Sequence, residues 1–294
     1  MANTIGGINL AQIAQETLRT LQVKLPMLLN FTHDFSSEVK AKGESVTTRV
    51  ATAMSNQDLT SGFTAGDVTS TAKTIPLSSY KGRVVGFTDM EVAKGTYEML
   101  RRTFIVPAAF AVVKGFMDDL LALVTAANFS QSALITAENF DADDLADIAA
   151  TLTDAGVPED ARFALIKSAY FASLGKDNSL QSATNYGSNT VIRDNLIPRV
   201  HGFDIHEYAS IPANAEALEG ILGNAQGLLI AARVPALPAN FPGSVETVTD
   251  PETGLTLQFR EWYATELGIQ KLSVGVIYGV AVGVAGNIVR LKSA

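Results

Sequence analysis

The chain has 294 residues, contains no cysteine and carries a net charge of −8, from 22 Lys and Arg against 30 Asp and Glu. This length suits one large domain or two small ones, and the absence of cysteine excludes disulfides and thiolate metal sites. The excess of acidic over basic residues argues against tight, sequence-independent binding to DNA, which needs clustered lysine and arginine. The first residues lack the positive segment and the apolar run of a secretory signal peptide, so none is expected.

The first 88 residues predict an N-terminal arm followed by a long β-hairpin. Residues 1–39 form the arm, with weak helical spacing of its apolar side chains. Residues 40–88 form the hairpin, with one strand around Val46–Val50 and a second at Arg83–Thr88, joined by a loop rich in Gly, Asn, Asp and Ser. Because a two-stranded hairpin is at best marginally stable alone in water, this one needs a surface to lie on.

Two helices are predicted next. Between residues 96 and 127, apolar side chains recur at three-, four- and seven-residue steps, which is typical of a helix with one apolar face. Pro107 lies inside this segment and should kink or split the helix. A second helix covers residues 141–156, where Asp141 caps the N-terminus, Asp144 lies in the first turn, and a glycine and a proline end the helix.

The C-terminal half of the chain predicts short strands mixed with short helices. Residues 162–212 contain an apolar strand, a short helix, a polar loop and two strand-like runs that meet at His201-Gly202. Residues 217–232 predict a strand followed by a short helix, and residues 254–263 alternate in the manner of an antiparallel strand.

An uncharged stretch of 18 residues between Lys271 and Arg290 reaches the length of a membrane-spanning helix. Its many valines and glycines favour buried strands instead, with a break between two strands at Tyr278-Gly279. We therefore expect no membrane among the partners of this chain.

Only one group of residues suggests metal or catalytic chemistry. His201, Asp204 and His206 lie close together in sequence and would serve a metal-dependent or hydrolytic enzyme. If residues 200–208 form a strand, the two histidines point to opposite faces, which argues against a shared ion. The chain has no nucleophile elbow, phosphate-binding loop or dinucleotide fingerprint, although a triad assembled in three dimensions would leave no sequence signature. The prediction is a non-enzyme without metal or cofactor, and the enzyme is the alternative.

The distribution of charge is more informative than any motif. From residue 40 to residue 83, six basic and three acidic residues give a charge of +3, which leaves −11 for the rest of the chain. The basic residues are Lys40, Lys42, Arg49, Lys73, Lys81 and Arg83. They form either a solvated face of the hairpin or a contact with an acidic surface on a neighbouring copy, where complementary charge would set register and encounter rate.

Loose sequence signatures follow one another in a fixed order across nearly the whole chain. They are Val157-Pro158, Arg162–Lys167, Tyr170, Leu174, Tyr186-Gly187, Ile197, Val200–Phe203, Ile205, Pro212, Gly254-Leu255 and Tyr278-Gly279. Together with the arm, hairpin and long helix, this order resembles the major capsid (coat) proteins of tailed bacteriophages, which have the Hong Kong 97-like fold. No motif identifies the lysine–asparagine crosslinks that some of those relatives form.

The resemblance implies an α+β fold in four parts. These are an N-terminal arm (1–39), an extended β-hairpin called the E-loop (40–88), a P-domain that combines a long spine helix with a sheet (89–134 and 243–283), and a mixed α/β A-domain (135–242 and 284–294).

The resemblance also implies a structural function. Copies would assemble into the pentamers and hexamers of an icosahedral shell around double-stranded DNA, bound without sequence specificity. Scaffolding, portal and decoration proteins are the further candidate partners, and the location is the virion, assembled in the host cytoplasm. The bacterial compartment shells called encapsulins share this fold and are the alternative within it.

Overall fold

The computed structural model describes residues 26–293 except 52–59, 61, 63–69, 96, 182–196, 198, 239 and 251–252. Its α-helices are α1 (Asp89–Lys94), α2 (Tyr97–Leu121), α3 (Ala142–Asp154), α4 (Ser168–Lys176) and α5 (Asn178–Gln181). Its strands are β1 (Thr32–Lys40), β2 (Ser45–Ala51), β3 (Ser70–Pro76), β4 (Ser79–Thr88), β5 (Ser132–Leu134), β6 (Arg162–Ile166), β7 (Phe203–Glu207), β8 (Leu218–Asn224), β9 (Leu228–Pro235), β10 (Ser244–Thr249), β11 (Thr256–Ala264), β12 (Ile269–Val282) and β13 (Ile288–Lys292). The predicted α+β class is confirmed.

The described strands form three sheets. Six strands make the larger sheet in the order β1-β9-β12-β11-β10, with β4 also paired to β12. The 14-residue strand β12 organises this sheet, because it is antiparallel to three strands: β4 over residues 269–278, β11 over residues 269–275 and β9 over residues 277–282. The smaller sheet has the order β5-β13-β8-β6-β7, and β2 and β3 pair only with each other.

Two apolar cores hold these layers together. The larger core lies between α2 and one face of the larger sheet, where Phe116, Phe259 and Val274 are completely buried. It continues onto one face of the smaller sheet, whose other face packs with α3 and α4 through side chains such as Leu145 and Leu174. Because the smaller sheet is covered on both faces, all five residues of its interior strand β6 are buried.

The structure confirms both long helices and the cap of the second. The N-terminus of α3 has the predicted cap. The Asp141 carboxylate accepts hydrogen bonds from the backbone N–H groups of Asp143 and Asp144, and the Asp144 carboxylate accepts one from the backbone N–H of Asp141. Of the kink or split expected at Pro107, the split does not occur, because α2 runs through that residue without interruption. The neighbouring Ala108 and Ala109 are buried against the sheet, so packing holds this turn in the helix.

The predicted pairing of the hairpin is wrong. β2 pairs with β3 in register from Ser45–Pro76 to Ala51–Ser70, while the run that contains Arg83–Thr88 belongs to β4 and pairs with β12. Side chains of β4 alternate, and Phe87 turns inward to contact the ring of Phe104 on α2 at a centroid distance of 5.6 Å. The apolar residues of β4 therefore join the larger sheet and not the hairpin.

Two further expectations fail in the C-terminal half. The short helix expected at the end of residues 217–232 is strand β9, whose eight residues are all buried. An interior strand buried on both faces reads as a continuous apolar run, which periodicity cannot distinguish from a buried helix. The break expected at Tyr278-Gly279 is also wrong, because β12 continues to Val282 and the chain turns at Ala285–Asn287.

Gly279 serves a close approach of two backbones. A Cβ atom built on Gly279 would lie 2.1 Å from the carbonyl oxygen of Pro76, at the end of β3. Only glycine fits this position, so the residue marks a contact between strands and not an interruption of β12.

Only the last part of the predicted N-terminal arm lies in the described part of the chain. The helical spacing expected in the first 25 residues lies outside the described part of the chain. Residues 32–40 form β1, which pairs in parallel with β9 at the edge of the larger sheet. No helix in the described ranges has the length and apolar character needed to cross a bilayer.

Candidate inter-subunit surface

The six basic residues of the hairpin segment occupy three different places. We define the hairpin root as residues 44–46 and 75–77, the stem as residues 47–51 and 70–74, and the tip as residues 52–69. The root is preceded by Lys40 and Lys42, the stem carries Arg49 and Lys73, and the larger sheet carries Lys81 and Arg83 on β4. The structure therefore does not bring the six into one patch.

At the root, the charge of Lys40 is compensated within the chain. Its ammonium lies 3.0 Å from a Glu38 carboxylate oxygen and 3.3 Å from one of Glu44. Hydrogen bonds from Lys40 to Glu38 first, and then to Glu44, raise the pKa of Lys40 above its ordinary value. Lys42 is exposed in the turn that precedes the root, next to Gly43 with φ of 101°.

The hairpin root is packed but the stem is exposed. Ile75 and Leu77 of the root form a small apolar core with Leu229, Ala231 and Ile277 of the larger sheet. Beyond the root, the strands turn exposed side chains outward on both faces, as at Thr47, Thr48, Arg49, Thr71 and Thr74, with Lys73 half-buried. A two-stranded stem of this kind is marginally stable without a partner surface.

Lys81 is tied to the long helix. Its ammonium lies 2.6 Å from the Asp119 carboxylate on α2. The same carboxylate accepts a hydrogen bond from the hydroxyl of Tyr278, a fully buried residue of β12 whose ring contacts Phe116 at a centroid distance of 4.1 Å. Burial, and then Asp119, raise the pKa of Tyr278 well above its ordinary value. This three-residue contact fixes β4 against α2, which makes Lys81 a poor candidate for binding another copy.

The histidine cluster is not arranged as a shared metal site. His201 is exposed in a turn at φ of 46°, and this turn separates it from β7, which begins at Phe203. His206 is half-buried on β7, and burial lowers the pKa of His206, opposed by the charge of Asp204. Asp204 is exposed and 3.9 Å from the Arg199 guanidinium. Among the described residues, no group of three or more His, Asp or Glu side chains is arranged to hold a metal.

Sequence reasoning missed a groove on the larger sheet. The face opposite α2 carries a depression of about 330 Å³, lined on that face by Tyr80, Val84, Phe241, Arg260 and Trp262 together with the small residues Gly82, Ser273 and Gly275. The pairing of Arg83 with Val274 places both of those side chains on the α2 face. The alternation of residues 254–263 was the available signal, since it places Arg260 and Trp262 on the face away from the buried Leu257 and Phe259.

The comparisons identify the fold. No family model matches the chain, and no curated protein matches it. The capsid structure of the cyanophage P-SCSP1u matches with a TM-score of 0.61 at 13% identity, over 90% of this chain and 86% of that one. The capsid of Ralstonia phage GP4 matches with a TM-score of 0.58 at 11% identity, over 89% and 86%. The chain has the Hong Kong 97-like coat fold.

This coat fold extends beyond the phage capsids. The virus-like particle from Pyrococcus furiosus matches with a TM-score of 0.52 at 14% identity, over 97% of this chain and 100% of that one. The predicted fold class is confirmed, and at these identities the likeness establishes the fold alone.

Proposed function

We propose that this chain is a structural major capsid protein of a tailed bacteriophage. Copies assemble into the pentamers and hexamers of an icosahedral shell that encloses double-stranded DNA. The observation that carries this proposal is the match to phage capsid structures over nearly the full length of both chains. The exposed stem supports it, because a two-stranded stem needs a surface to lie on, and the described part of the chain packs only its root.

The proposal includes the partners and the location that the coat fold suggests. A net charge of −8 suits a shell that contains DNA without binding its sequence. Scaffolding, portal and decoration proteins complete the set of partners, and the protein resides in the virion after assembly in the host cytoplasm. The role is structural and not enzymatic, which agrees with the separation of His201 from the strand that carries His206.

The sheets support a slightly revised division into parts. We propose that the P-domain corresponds to α2 with the larger sheet, and the A-domain to α3, α4 and the smaller sheet. In this division, three strands of the P-domain sheet come from segments that were predicted to belong to other parts. β1 comes from the predicted arm, β4 from the predicted hairpin and β9 from the predicted A-domain. The E-loop shortens to the root, stem and tip.

The stem is the proposed contact with a neighbouring copy. Arg49 and Lys73 are its basic side chains, whereas Lys40 and Lys81 already have carboxylate partners in their own chain. Reversing both charges of the stem in one variant, with Arg49→Glu and Lys73→Glu, should leave the melting temperature unchanged and reduce the yield of shells. Lys176→Glu, at an exposed position on α4, is the matched control. Normal shell yield from the double variant would remove the stem from the contact.

The test of the function itself is electron microscopy of the purified protein, alone and co-expressed with a scaffolding protein. We expect closed shells, or rings of five and six copies, and elution as very large particles on size-exclusion chromatography. A protein that stays monomeric at high concentration under both conditions would contradict the proposal.

A second candidate is a compartment shell of the encapsulin kind. The match to the virus-like particle from Pyrococcus furiosus, which covers all of that chain, favours considering it. The contents of the particles distinguish the two functions. Particles that protect double-stranded DNA from nuclease support the capsid, whereas particles that lack DNA and contain a co-purifying enzyme support the compartment.

A further inference from the structure

Two edges of the larger sheet are open in the described part of the chain. Residues 269–275 of β12 pair with β4 on one side and with β11 on the other, and β10 lies outside β11. This part of the sheet therefore has the order β4-β12-β11-β10, and neither β4 nor β10 has a described strand on its outer side. Every second residue of an edge strand directs its backbone N–H and C=O groups outward, where another strand can bind them.

Both edge strands have a regular backbone. β4 pairs with β12 over ten residues and β10 pairs with β11 over six, in each case without a bulge and without a proline. On β4, Tyr80 is 48% exposed and Val84 is 55% exposed. A long, regular edge strand with exposed apolar side chains is a template for pairing with another chain.

The two edges carry opposite charges on the face that packs against α2. Arg83 of β4 is exposed and faces α2. On β10, Val248 joins the larger core beneath α2, so strand alternation turns Glu246 to the same face. Opposite charges stabilise a strand pair when they lie directly across from each other, and like charges destabilise it. Charge therefore favours pairing of β4 with β10 over pairing of either strand with itself.

One antiparallel register matches the side chains on both faces. With Glu246 opposite Arg83, all six residues of β10 find partners within residues 80–85 of β4. On the face opposite α2, this register places Val245 directly across from the exposed Val84. Cross-strand pairs of β-branched side chains and of opposite charges are the pairs that stabilise a sheet.

The directions of the strands allow this pairing between copies. Each neighbouring pair in the order β4-β12-β11-β10 is antiparallel, so β10 is antiparallel to β4. A second copy set beside the first in the same orientation brings the two edges together as antiparallel strands, with both α2 helices on one face. We propose that β4 of one copy pairs with β10 of a neighbouring copy, so that the larger sheet continues between subunits. This inference rests on the proposed shell function and adds the location, direction and register of one contact.

This contact suits a closed ring of copies. It joins two different edges of the same chain, so each copy uses its β4 toward one neighbour and its β10 toward the other. An interface of this type generates rings when the rotation between copies closes. In a ring of five or six copies no β4 or β10 edge remains open, which also removes these edges as sites of non-specific pairing.

A designed disulfide tests both the contact and its register, because the chain contains no cysteine. Val84→Cys combined with Val245→Cys places two thiols directly opposite each other in the proposed pair. Within one copy these positions are three strand spacings apart, roughly 14 Å, which is too far for a disulfide. We expect oxidised shells of this variant to run as a ladder of linked chains on a non-reducing gel.

The matched control combines Val84→Cys with Thr249→Cys. Thr249 is an exposed residue on the same face of β10, and its distance from the proposed partner of Val84 is roughly 13 Å along the strand. Shells of the control should run as single chains after the same oxidation.

A charge exchange tests the pair on the α2 face. Arg83→Glu should raise the protein concentration needed for shell assembly by about fivefold, because it places like charges opposite each other. Glu246→Arg should have a similar effect, and the two changes combined should restore most of the assembly. Arg199→Glu, at an exposed arginine outside both edge strands, should change assembly little. Melting curves identify any variant that fails to fold, in which case the disulfide decides.

The outcomes separate this inference from the proposed function. Shells that form normally without a link between residues 84 and 245 overturn the edge pairing and leave the capsid function intact. Links in the control variant overturn the register, and a combined charge variant that assembles no better than either single variant overturns the pairing of Arg83 with Glu246. Failure of the wild-type protein to form any shell overturns the proposed function, and the edge contact with it.

Discussion

Replacing Gly279 with alanine should displace the hairpin root from the larger sheet. The added Cβ would lie 2.1 Å from the carbonyl oxygen of Pro76, 2.8 Å from its carbonyl carbon and 3.1 Å from a methyl group of Ile75. Two of these atoms belong to the backbone, so no side-chain rotation relieves the clash. An ordinary contact needs roughly 3.4 Å or more, so the root must move by about 1 Å, which close-packed interiors resist.

The cost of that displacement comes from the small core beneath the root. Ile75, Leu77 and Ile277 are each at most 3% exposed, and separating them would return apolar surface to water. Overpacking a core by one methyl group costs about 1–3 kcal/mol, so we expect Gly279→Ala to lower the free energy of unfolding by about 2–3 kcal/mol. Hydrogen exchange should speed up in β2 and β3 before any other strand.

Gly286→Ala is the matched control for this experiment. A Cβ at Gly286 meets no atom within 4 Å and its φ is not positive, so alanine there should be neutral or slightly stabilising. Urea unfolding followed by circular dichroism measures both variants. The close approach would be refuted as the reason for this glycine if Gly279→Ala unfolded at the same urea concentration as Gly286→Ala.

Three further predictions follow from the polar contacts. Tyr278→Phe removes the buried hydroxyl that donates to Asp119 and should cost about 1–3 kcal/mol in urea unfolding; an unchanged midpoint would mean that this hydrogen bond adds no stability. Asp141→Ala removes the cap of α3 and should cost about 1 kcal/mol, more than Asp143→Ala, in thermal unfolding. Because burial lowers the pKa of His206, the folded state disfavours its charged form, so stability is present above the unfolded pKa of about 6.5 and is lost as pH falls below it. A His206→Gln variant should lose less stability than wild type between pH 7 and pH 5, and equal losses would contradict this role of His206.

Local signals in the sequence predicted the elements whose cause is local. The cap of α3 depends on Asp141 and Asp144, which lie three residues apart, and the structure shows both halves of the capping box. The order of arm, hairpin, long helix and mixed domain was sufficient to identify the coat fold. These features need no knowledge of distant partners.

The expectations that failed all depend on distant partners. β9 was mistaken for a helix because distant elements bury both of its faces. Leu228 and Ile230 join the larger core beneath α2, while Leu229 and Ala231 pack against the hairpin root. The partner of β2 was predicted wrongly because β4, the strand expected to pair with it, pairs instead with β12, which lies some 190 residues later in the chain. The groove could not be predicted, since Phe241 reaches the wall from a loop and the floor is empty only where Gly82 meets Gly275.

The position of β12 in the chain determines when this protein can complete its fold. β12 ends at residue 282, some 190 residues after β4, yet it is the strand that β4, β9 and β11 all pair with. Pairing across such sequence separations is slow, and during synthesis the larger sheet stays incomplete until residue 282 has left the ribosome. The hairpin is synthesised early, but its root lacks part of the surface on which it packs until Ile277 has been synthesised. Until β12 pairs, β4, β9 and β11 expose strand edges and apolar surface, so the incomplete chain is prone to aggregate during synthesis.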